Sequence, residues 1–307
     1  MNRDILYTGV LGLAIGDALG VPFEFNSRRQ MERSPAFSFT AGGVWEQPAG
    51  TWSDDTSMTL ATIGALNKYD WDVTDNCLAD IMNNFLRWYL RGDYAACGNR
   101  FDIGNTCEKA IREWRKHMLT EDNFKCTGVG GQAYGNGALM RILPCIFLHN
   151  DVTDKISRLT HNSKLCSAIS IFYVTMIRYI MYSDVDKIHA FELAKEECRD
   201  ILSDVPVKFM KVTTEAFMNT ESNSINSSGY VIDTIEAAMW CFLNTDSYID
   251  CIRMAVNLGD DSDTTAAVAG GIAGIYYGIG GEKGIPYTLI SKLRDVETLR
   301  KVCFNNN

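Results

Sequence analysis

Apolar residues recur at intervals of three and four along this chain of 307 residues, and clean apolar/polar alternation over a strand's length is hard to find. That interval puts the apolar side chains on one face of a helix and leaves the other face polar. Ile5, Val10, Leu13, Ala14 and Leu19 trace the first such stripe. Gly9, Gly12 and Gly16 fall together on one side of it, where a second helix can come close. Met58, Ala61 and Ala65 repeat the pattern, as do Leu78, Ile81, Phe85 and Trp88. The same reading predicts helices over roughly 104–118, 137–148, 163–182, 186–202, 207–218, 230–243, 246–257, 262–278 and 286–292. Six prolines are too few to fragment these segments. No repeat or low-complexity linker divides the chain, and Glu221–Ser228 reads as one loop. The expected fold is therefore all-α: a single multi-helix domain over residues 1–307, although length alone also permits two domains.

Composition narrows the function classes. Hydrophobic residues at 46% and charged residues at 22% are those of a globular chain, which excludes a disordered or fibrous one. A formal charge of -9 argues against a broad phosphate-neutralising surface for nucleic acid. It leaves room for a small anionic ligand held by backbone donors. The cysteines, at 77, 97, 107, 126, 145, 166, 198, 241, 251 and 303, show no C-x-x-C spacing. With Asp4 early and Asp17 interrupting the first apolar stretch, no secretory pattern is visible, so reduced, buried thiols in a cytoplasmic protein are expected. The nearest approach to a membrane span is Thr264–Gly280, which follows directly on a cluster of aspartates and falls short of the roughly 20 residues a span requires. It is read as a packed core helix.

Two segments concentrate carboxylates at helix starts. Gly50-Thr51-Trp52-Ser53-Asp54-Asp55-Thr56 leads into one helix, and Asn257-Leu258-Gly259-Asp260-Asp261-Ser262-Asp263-Thr264-Thr265 into another. Capping by Ser53 or Asp261 explains one side chain per helix start, not five aspartates. If the segments meet, each carboxylate pair about 4 Å apart repels by about 4 kcal/mol at an effective dielectric near 20. Cations between them, or bound protons, relieve that repulsion. Ser, Thr and Asp offer only oxygen, which selects magnesium or manganese over zinc. Asp261 and Asp263 point apart on a regular helix, so their convergence needs a non-helical turn, which Gly259 supplies.

Two further segments read as ligand-facing loops. Gly130-Gly131-Gln132-Ala133-Tyr134-Gly135-Asn136-Gly137 holds four glycines and exposes backbone N–H groups before an expected helix start, where a diphosphate can sit. Gly16-Asp17-Ala18-Leu19-Gly20 is followed by Glu24 among Val21, Pro22, Phe23 and Phe25. That apolar setting raises a carboxyl pKa toward general acid/base duty. Trp45 and Trp52 read as packing residues, with Trp52 also placed to wall a cleft; His117, His149 and His189 carry no functional signal.

Together these strings resemble the ADP-ribosylglycohydrolase family. The likeness runs from Gly9 to Gly278, with motifs in the family's order: G-x-x-x-G-D-A-L-G with Glu24 beyond it, W-S-D-D-T at 52–56, F-D-I-G-N-T at 101–106, G-N-G-A-L-M-R at 135–141, T-H at 160–161, G-Y-V-x-D-T-x-E-A-A at 229–238, and N-L-G-x-D-x-D-T at 257–264. The resemblance implies an all-helical fold around a central cleft with two divalent cations, magnesium or manganese. It implies hydrolysis of the bond between ribose C1″ of ADP-ribose and an acceptor side chain, arginine first among the candidates. The substrate would then be an ADP-ribosylated protein, the product ADP-ribose, and the protein a monomer with no nucleic-acid or membrane partner.

By the same resemblance, Ser53, Asp54, Asp55, Asp261, Asp263 and Thr264 are the metal ligands, with catalytic roles for Glu24, Asp55 and Asp261. Gly131, Gln132, Ala133, Tyr134 and Gly135 match the phosphate-contacting loop, His161 lies near the diphosphate, and Asp102 borders the acceptor. Ser53 stands where Thr is common and keeps the hydroxyl. Asp260 stands where many members have a glycine, which leaves it either an outer ligand or a solvent-facing bystander. Two alternatives stay open: hydrolysis of a free derivative such as O-acetyl-ADP-ribose, or ADP-ribose binding without catalysis.

Overall fold

The computed structural model describes residues 1–120 and 128–305; Cys126 lies outside them. The described residues form helices, turns and a few isolated bridges, with no strand among them. In chain order the helices are α1 (Arg3–Gly20), α2 (Arg28–Arg33), α3 (Asp54–Lys68), α4 (Asp75–Arg91), α5 (Asn105–Thr120), α6 (Asn150–Arg158), α7 (Lys164–Tyr182) and α8 (Lys187–Glu197). They continue with α9 (Arg199–Leu202), α10 (Thr214–Met218), α11 (Val231–Leu243), α12 (Tyr248–Asn257), α13 (Ser262–Tyr277), α14 (Tyr287–Ile290) and α15 (Val296–Phe304).

The central packing is α1 against α13. Asn2 caps α1 by accepting from the Asp4 and Ile5 N–H groups, and nearly every residue from Gly9 to Gly20 is buried. The glycine side foreseen for α1 faces α13 at backbone contact. A Cβ at Gly12 would lie 2.3 Å from the Gly270 carbonyl oxygen, and one at Gly16 would lie 2.1 Å from that of Ala266. No side chain fits there, so the two backbones touch. Hydroxyls brace α1 at two levels: Tyr248 of α12 donates to the Gly12 carbonyl at 2.7 Å, and Ser262 of α13 to that of Gly20 at 3.0 Å. Helices α3, α7, α11 and α12 pack around this seam.

Several predicted helices differ in detail. Residues 137–148 form two separate 3-10 turns, Asn136–Ala138 and Leu143–Phe147, rather than one helix. Pro144 supplies no N–H to continue an α-helix, and Gly135 and Gly137 lie just before and within the first turn. The stretch 186–202 breaks at Cys198 into α8 and α9, and 207–218 resolves into a 3-10 turn at Lys208–Met210 and α10. The helix read over 286–292 shrinks to α14, while α2, α6 and α15 escaped the periodicity because each is only two or three turns long. Thr264–Gly280 was also not the nearest approach to a span: Arg3–Phe23 and α7 are longer and apolar enough by length and composition, with 78% and 61% of their apolar windows buried inside the fold. The nine described cysteines are unpaired, and all except Cys97 are buried.

Gly16→Ala places a methyl against a carbonyl that belongs to a packed helix and cannot move aside. A loss of about 1–3 kcal/mol or more is expected, read as a lowered midpoint in urea unfolding. An unchanged midpoint would show that the seam has slack.

Candidate active site

The α1–α13 seam brings three helix ends to one place. Asp17, fully buried near the end of α1, accepts from the Ser53 N–H at 2.8 Å through Oδ1, and from the Thr56 N–H at 3.1 Å and the Thr56 hydroxyl at 2.6 Å through Oδ2. A carboxylate of α1 thus holds the first turn of α3. Ser53 caps α3 and donates to Asp55 Oδ2 at 2.9 Å; Thr264, on the first turn of α13, sits 3.4 Å from the same oxygen. Carboxylate oxygens of Asp17, Asp55 and Asp263 lie within 4.8 Å of one another, and so do those of Glu24, Asp102 and Asp263. Asp263 belongs to both groups, while Asp54 and Asp261 belong to neither and instead line the adjoining cavity.

Asp261 does not cap its helix. Its Oδ2 accepts from the Asn136 side-chain amide at 2.7 Å, while the Thr264 N–H is taken by Asp263 Oδ1 at 2.9 Å. The turn that lets Asp261 and Asp263 approach one centre is non-helical: Gly259 has φ +77°, Asp260 has φ +59°, and Asp261 lies outside the helical region. Asp260 side chain is exposed, and its left-handed backbone accounts for a glycine being a natural alternative there. Its backbone exchanges two hydrogen bonds of 2.7 Å with the segment after Glu24: Phe25 N–H to Asp260 O, and Asp260 N–H to Asn26 O.

Beside the carboxylates lies a cavity of about 410 Å³. Glu24, Asp54, Asp102, Asp261, Thr264, Asn136 and His161 line it, and no Lys or Arg is among the described residues that do. The uncompensated charge is visible in the proton affinities. Burial pushes Asp54, Asp55 and Asp263 well above the usual carboxylate range, with neighbouring aspartates and, at Asp263, Glu24 adding to the shift. Burial raises Glu24 to about 8 against an opposing hydrogen bond from Trp45, and raises Asp102 to about 8 with help from Glu24. Asp17 rises only to about 6, because Thr56 and Ser53 donate to its charged form.

His161 is buried, and burial with nearby Arg141 lowers it to about 3, which keeps its ring neutral. Its Nδ1 lies 2.9 Å from the Thr160 hydroxyl, to which Arg141 donates at 2.7 Å. Gly137 permits the close fit of this wall, since a Cβ there would stand 2.7 Å from Cys107 Sγ and 3.0 Å from the His161 ring.

The arrangement fits hard cations. Asp55 Oδ1 is buried without a hydrogen-bond partner, an arrangement costly for a carboxylate unless a cation or a proton meets it. Every donor in the cluster is oxygen. Both oxygens of Asp17 are already engaged with Ser53 and Thr56, so Asp17 positions the ligand segment instead of offering a free oxygen.

The glycine loop meets the cavity only at its far end. Gly135 and Gly137 line the cavity, whereas Gly131, Gln132 and Tyr134 are exposed and Ala133 is buried beneath them. The loop runs into a single 3-10 turn, so the α-helix N-terminus expected behind it, and its dipole, are missing. The loop is instead fixed by Asn136 N–H to the Gly229 carbonyl at 3.0 Å and Val231 N–H to the Tyr134 carbonyl at 2.9 Å.

Three residues of the site escaped the sequence reading of roles. Asp17 carried a signal, an acid inside an otherwise apolar helix. Trp45, read as packing, donates its indole N–H to Glu24 Oε2. Asn136 holds Asp261, and nothing local announces a contact across 125 positions. Trp52 is core packing, with its indole N–H on the Tyr94 carbonyl at 3.1 Å.

The sequence model of a family described as ADP-ribosylglycohydrolase matches residues 2–305. Among curated relatives, a protein of Pseudomonas putida (strain GB-1) named ADP-ribosylarginine hydrolase Tri1 is 32% identical over 95% of this chain and 75% of its own length. One of Rhodospirillum rubrum named ADP-ribosyl-[dinitrogen reductase] glycohydrolase is 29% identical over 95% of this chain and 90% of its own. A solved structure titled ADP-ribosylglycohydrolase-related protein complex superposes with a TM-score of 0.75 at 25% identity, covering 98% of this chain and 96% of that one.

The proton affinities give a signed expectation. A carboxyl whose folded pKa is raised stabilises the fold below its unfolded pKa, and that contribution is lost as pH rises through the folded value. The metal-free protein therefore loses the site's contribution between about pH 4 and about pH 8, as Asp17, Glu24 and Asp102 ionise. Cations and protons compete for the same oxygens. Saturating Mg²⁺ or Mn²⁺ should raise Tm more at about pH 8 than at about pH 5.5, read by thermal denaturation. Equal shifts at both pH values would break the link between the carboxylates and the cation.

Proposed function

Because the chain belongs to the ADP-ribosylglycohydrolase family, we propose that it hydrolyses the bond between ribose C1″ of ADP-ribose and an arginine side chain, with two divalent cations, magnesium or manganese, in its acidic cavity. The observation that carries this reading is the buried carboxylate cluster with its unpartnered Asp55 oxygen, opening onto a cavity with no Lys or Arg among the described residues that line it. Ser53, Asp54, Asp55, Asp261, Asp263 and Thr264 would hold the ions. When bound, the ions orient the ribose hydroxyls and lower the pKa of water.

The chain's own residues supply the rest. Cleavage builds positive charge at C1″, and the carboxyl groups that line the cavity favour that charge. Glu24 is held by Trp45 through Oε2, which leaves Oε1 to take the proton of the attacking water. Its raised pKa suits proton transfer near neutrality. As the C1″–N bond breaks, the guanidine leaves as a free base and regains its cation by protonation. Asp102 faces the acceptor side. Gly135, Gly137 and neutral His161 also line the cavity, and the diphosphate would lie against them without a Lys or Arg clamp. Arginine is favoured as acceptor by a cavity that four carboxyl groups line, Glu24, Asp54, Asp102 and Asp261, and by relatives whose names carry that residue.

Arginine- and serine-ADP-ribosylated peptides, incubated with and without Mg²⁺ or Mn²⁺ and read by mass spectrometry, test the proposal. Metal-dependent release of free ADP-ribose from the arginine peptide is expected. Release from neither peptide by a folded, metal-loaded protein would overturn it, and AMP as product would mark attack on the diphosphate instead. Asp263→Asn and Asp261→Asn should each abolish turnover while circular dichroism stays helical. Glu24→Gln should lower kcat by about 10²–10⁴-fold.

A further inference from the structure

Phe25 is an exposed aromatic at the cavity mouth, 61% accessible, and its backbone stands at φ +65°. A bulky side chain pays strain in that left-handed region, and an exposed one gains no core packing in return. The conformation is nevertheless fixed on both sides. Phe25 N–H donates to the Asp260 carbonyl and Asp260 N–H to that of the next residue, Asn26, both at 2.7 Å, and Asp260 is itself left-handed. A Cβ at Gly259 would stand 2.6 Å from the Asn26 carbonyl oxygen, so the two segments interlock at van der Waals contact. Two strained residues thus hold one apolar ring toward solvent beside the carboxylates.

That ring does not stand alone. Its centroid lies 6.5 Å from the Trp45 ring, tilted by 56°, and Trp45 lies 6.0 Å from Phe101, tilted by 49°. The strip ends at Asp102, and its middle member is tied through the indole N–H to Glu24. Three rings in tilted contact, Phe25 lining the cavity with Glu24 and Asp102 and Trp45 bonded to Glu24 behind it, match one kind of group: a planar cation that stacks on a ring while its N–H donors meet carboxyl oxygens. A neutral hydroxyl acceptor uses neither property.

We propose that Phe25, Trp45 and Phe101 form the platform that receives the acceptor's guanidinium, and that Phe25 in particular makes the site select arginine over a hydroxyl acceptor. This rests on the hydrolase reading above. The platform acts on the acceptor and leaves the ADP-ribose portion to the cavity walls, so removing Phe25 affects one substrate part and not the other.

The test compares wild type with Phe25→Ala, Phe25→Leu and Phe25→Tyr. Position 25 is exposed, so folding should survive, and the leucine variant keeps apolar bulk without a π face. On the arginine-ADP-ribosylated peptide, kcat/KM should fall about 10-fold in the alanine and leucine variants, mainly through KM, and recover in the tyrosine variant. Affinity for ADP-ribose, measured by calorimetry, should stay unchanged in all of them. A wild type that cleaves the peptide alongside variants within twofold of it overturns the platform and leaves the hydrolase reading standing. A second measurement needs no turnover: agmatine titrated into the ADP-ribose-bound protein should bind wild type and bind the alanine variant about 10-fold more weakly. No agmatine binding to wild type, or equal binding to both, overturns the platform whatever the peptide assay gives.

Discussion

The site depends on a backbone contact between α1 and α13. Where Gly12 and Gly16 meet the Gly270 and Ala266 carbonyls, helix axes come closer than side chains allow, and dispersion replaces interdigitation. The consequence appears two turns further along. At the end of the seam a Cβ on Gly20 would stand 2.3 Å from the Asp263 Cα, so the last turn of α1 and the first of α13 share one volume. Asp17 and Asp263 are brought together by that approach, and Asp17 in turn recruits the start of α3 through Ser53 and Thr56. A wider helix crossing would separate the carboxylates and dissolve the cluster.

What the seam assembles is electrostatically unfavourable on its own. Buried acids with no Lys or Arg among the described residues lining their cavity stay close only when protons or cations offset the repulsion. The fold meets the need unevenly. Asp17 is satisfied internally by three donors and serves as structure. Asp55 keeps one oxygen without a partner, and Glu24 and Asp102 hold their protons to about 8. This gradient, from satisfied to unsatisfied across a few ångströms, separates a carboxylate that braces the site from carboxyl groups left open to a proton or a cation. It also explains a scaffold so heavily braced around the cluster, with hydroxyls of Tyr248, Ser262 and Tyr173 tied to helix carbonyls. Marginal packing would let like charges push the helix ends apart.

The mouth of the site follows a different rule. There the chain accepts left-handed backbone at Phe25 and Asp260 and leaves aromatic surface in water, both of which cost stability. The short loop that carries Trp45 is closed by Gly42 N–H to the Gln47 carbonyl, and Gly43 lies against Pro22 where a Cβ would be 2.6 Å from its carbonyl oxygen. Left-handed backbone also occurs away from the site, at Asp70, Trp71, Tyr94, Asp295 and Asn305, but at the rim it coincides with an exposed aromatic ring beside the carboxylates.

The helical class, the glycine side of α1 and the two acidic helix starts are legible in the chain because each is written in local spacing: a three-to-four repeat, small residues on one face, and hydroxyls and acids at N-terminal turns. It also carried the ordered strings that identify the family. Boundaries failed where short-range signals compete, as at 137–148, where Pro144 and glycine divide one apolar run into two 3-10 turns. Only the tertiary structure decided that Asp261 answers to Asn136 instead of capping its own helix, that Asp17 is a brace, and that Trp45 grips Glu24. Those contacts join residues 125, 36 and 21 positions apart. Periodicity reports which face of a helix is buried, but which polar atoms meet there is set by how closely the helices cross, and that distance is a property of the packed whole.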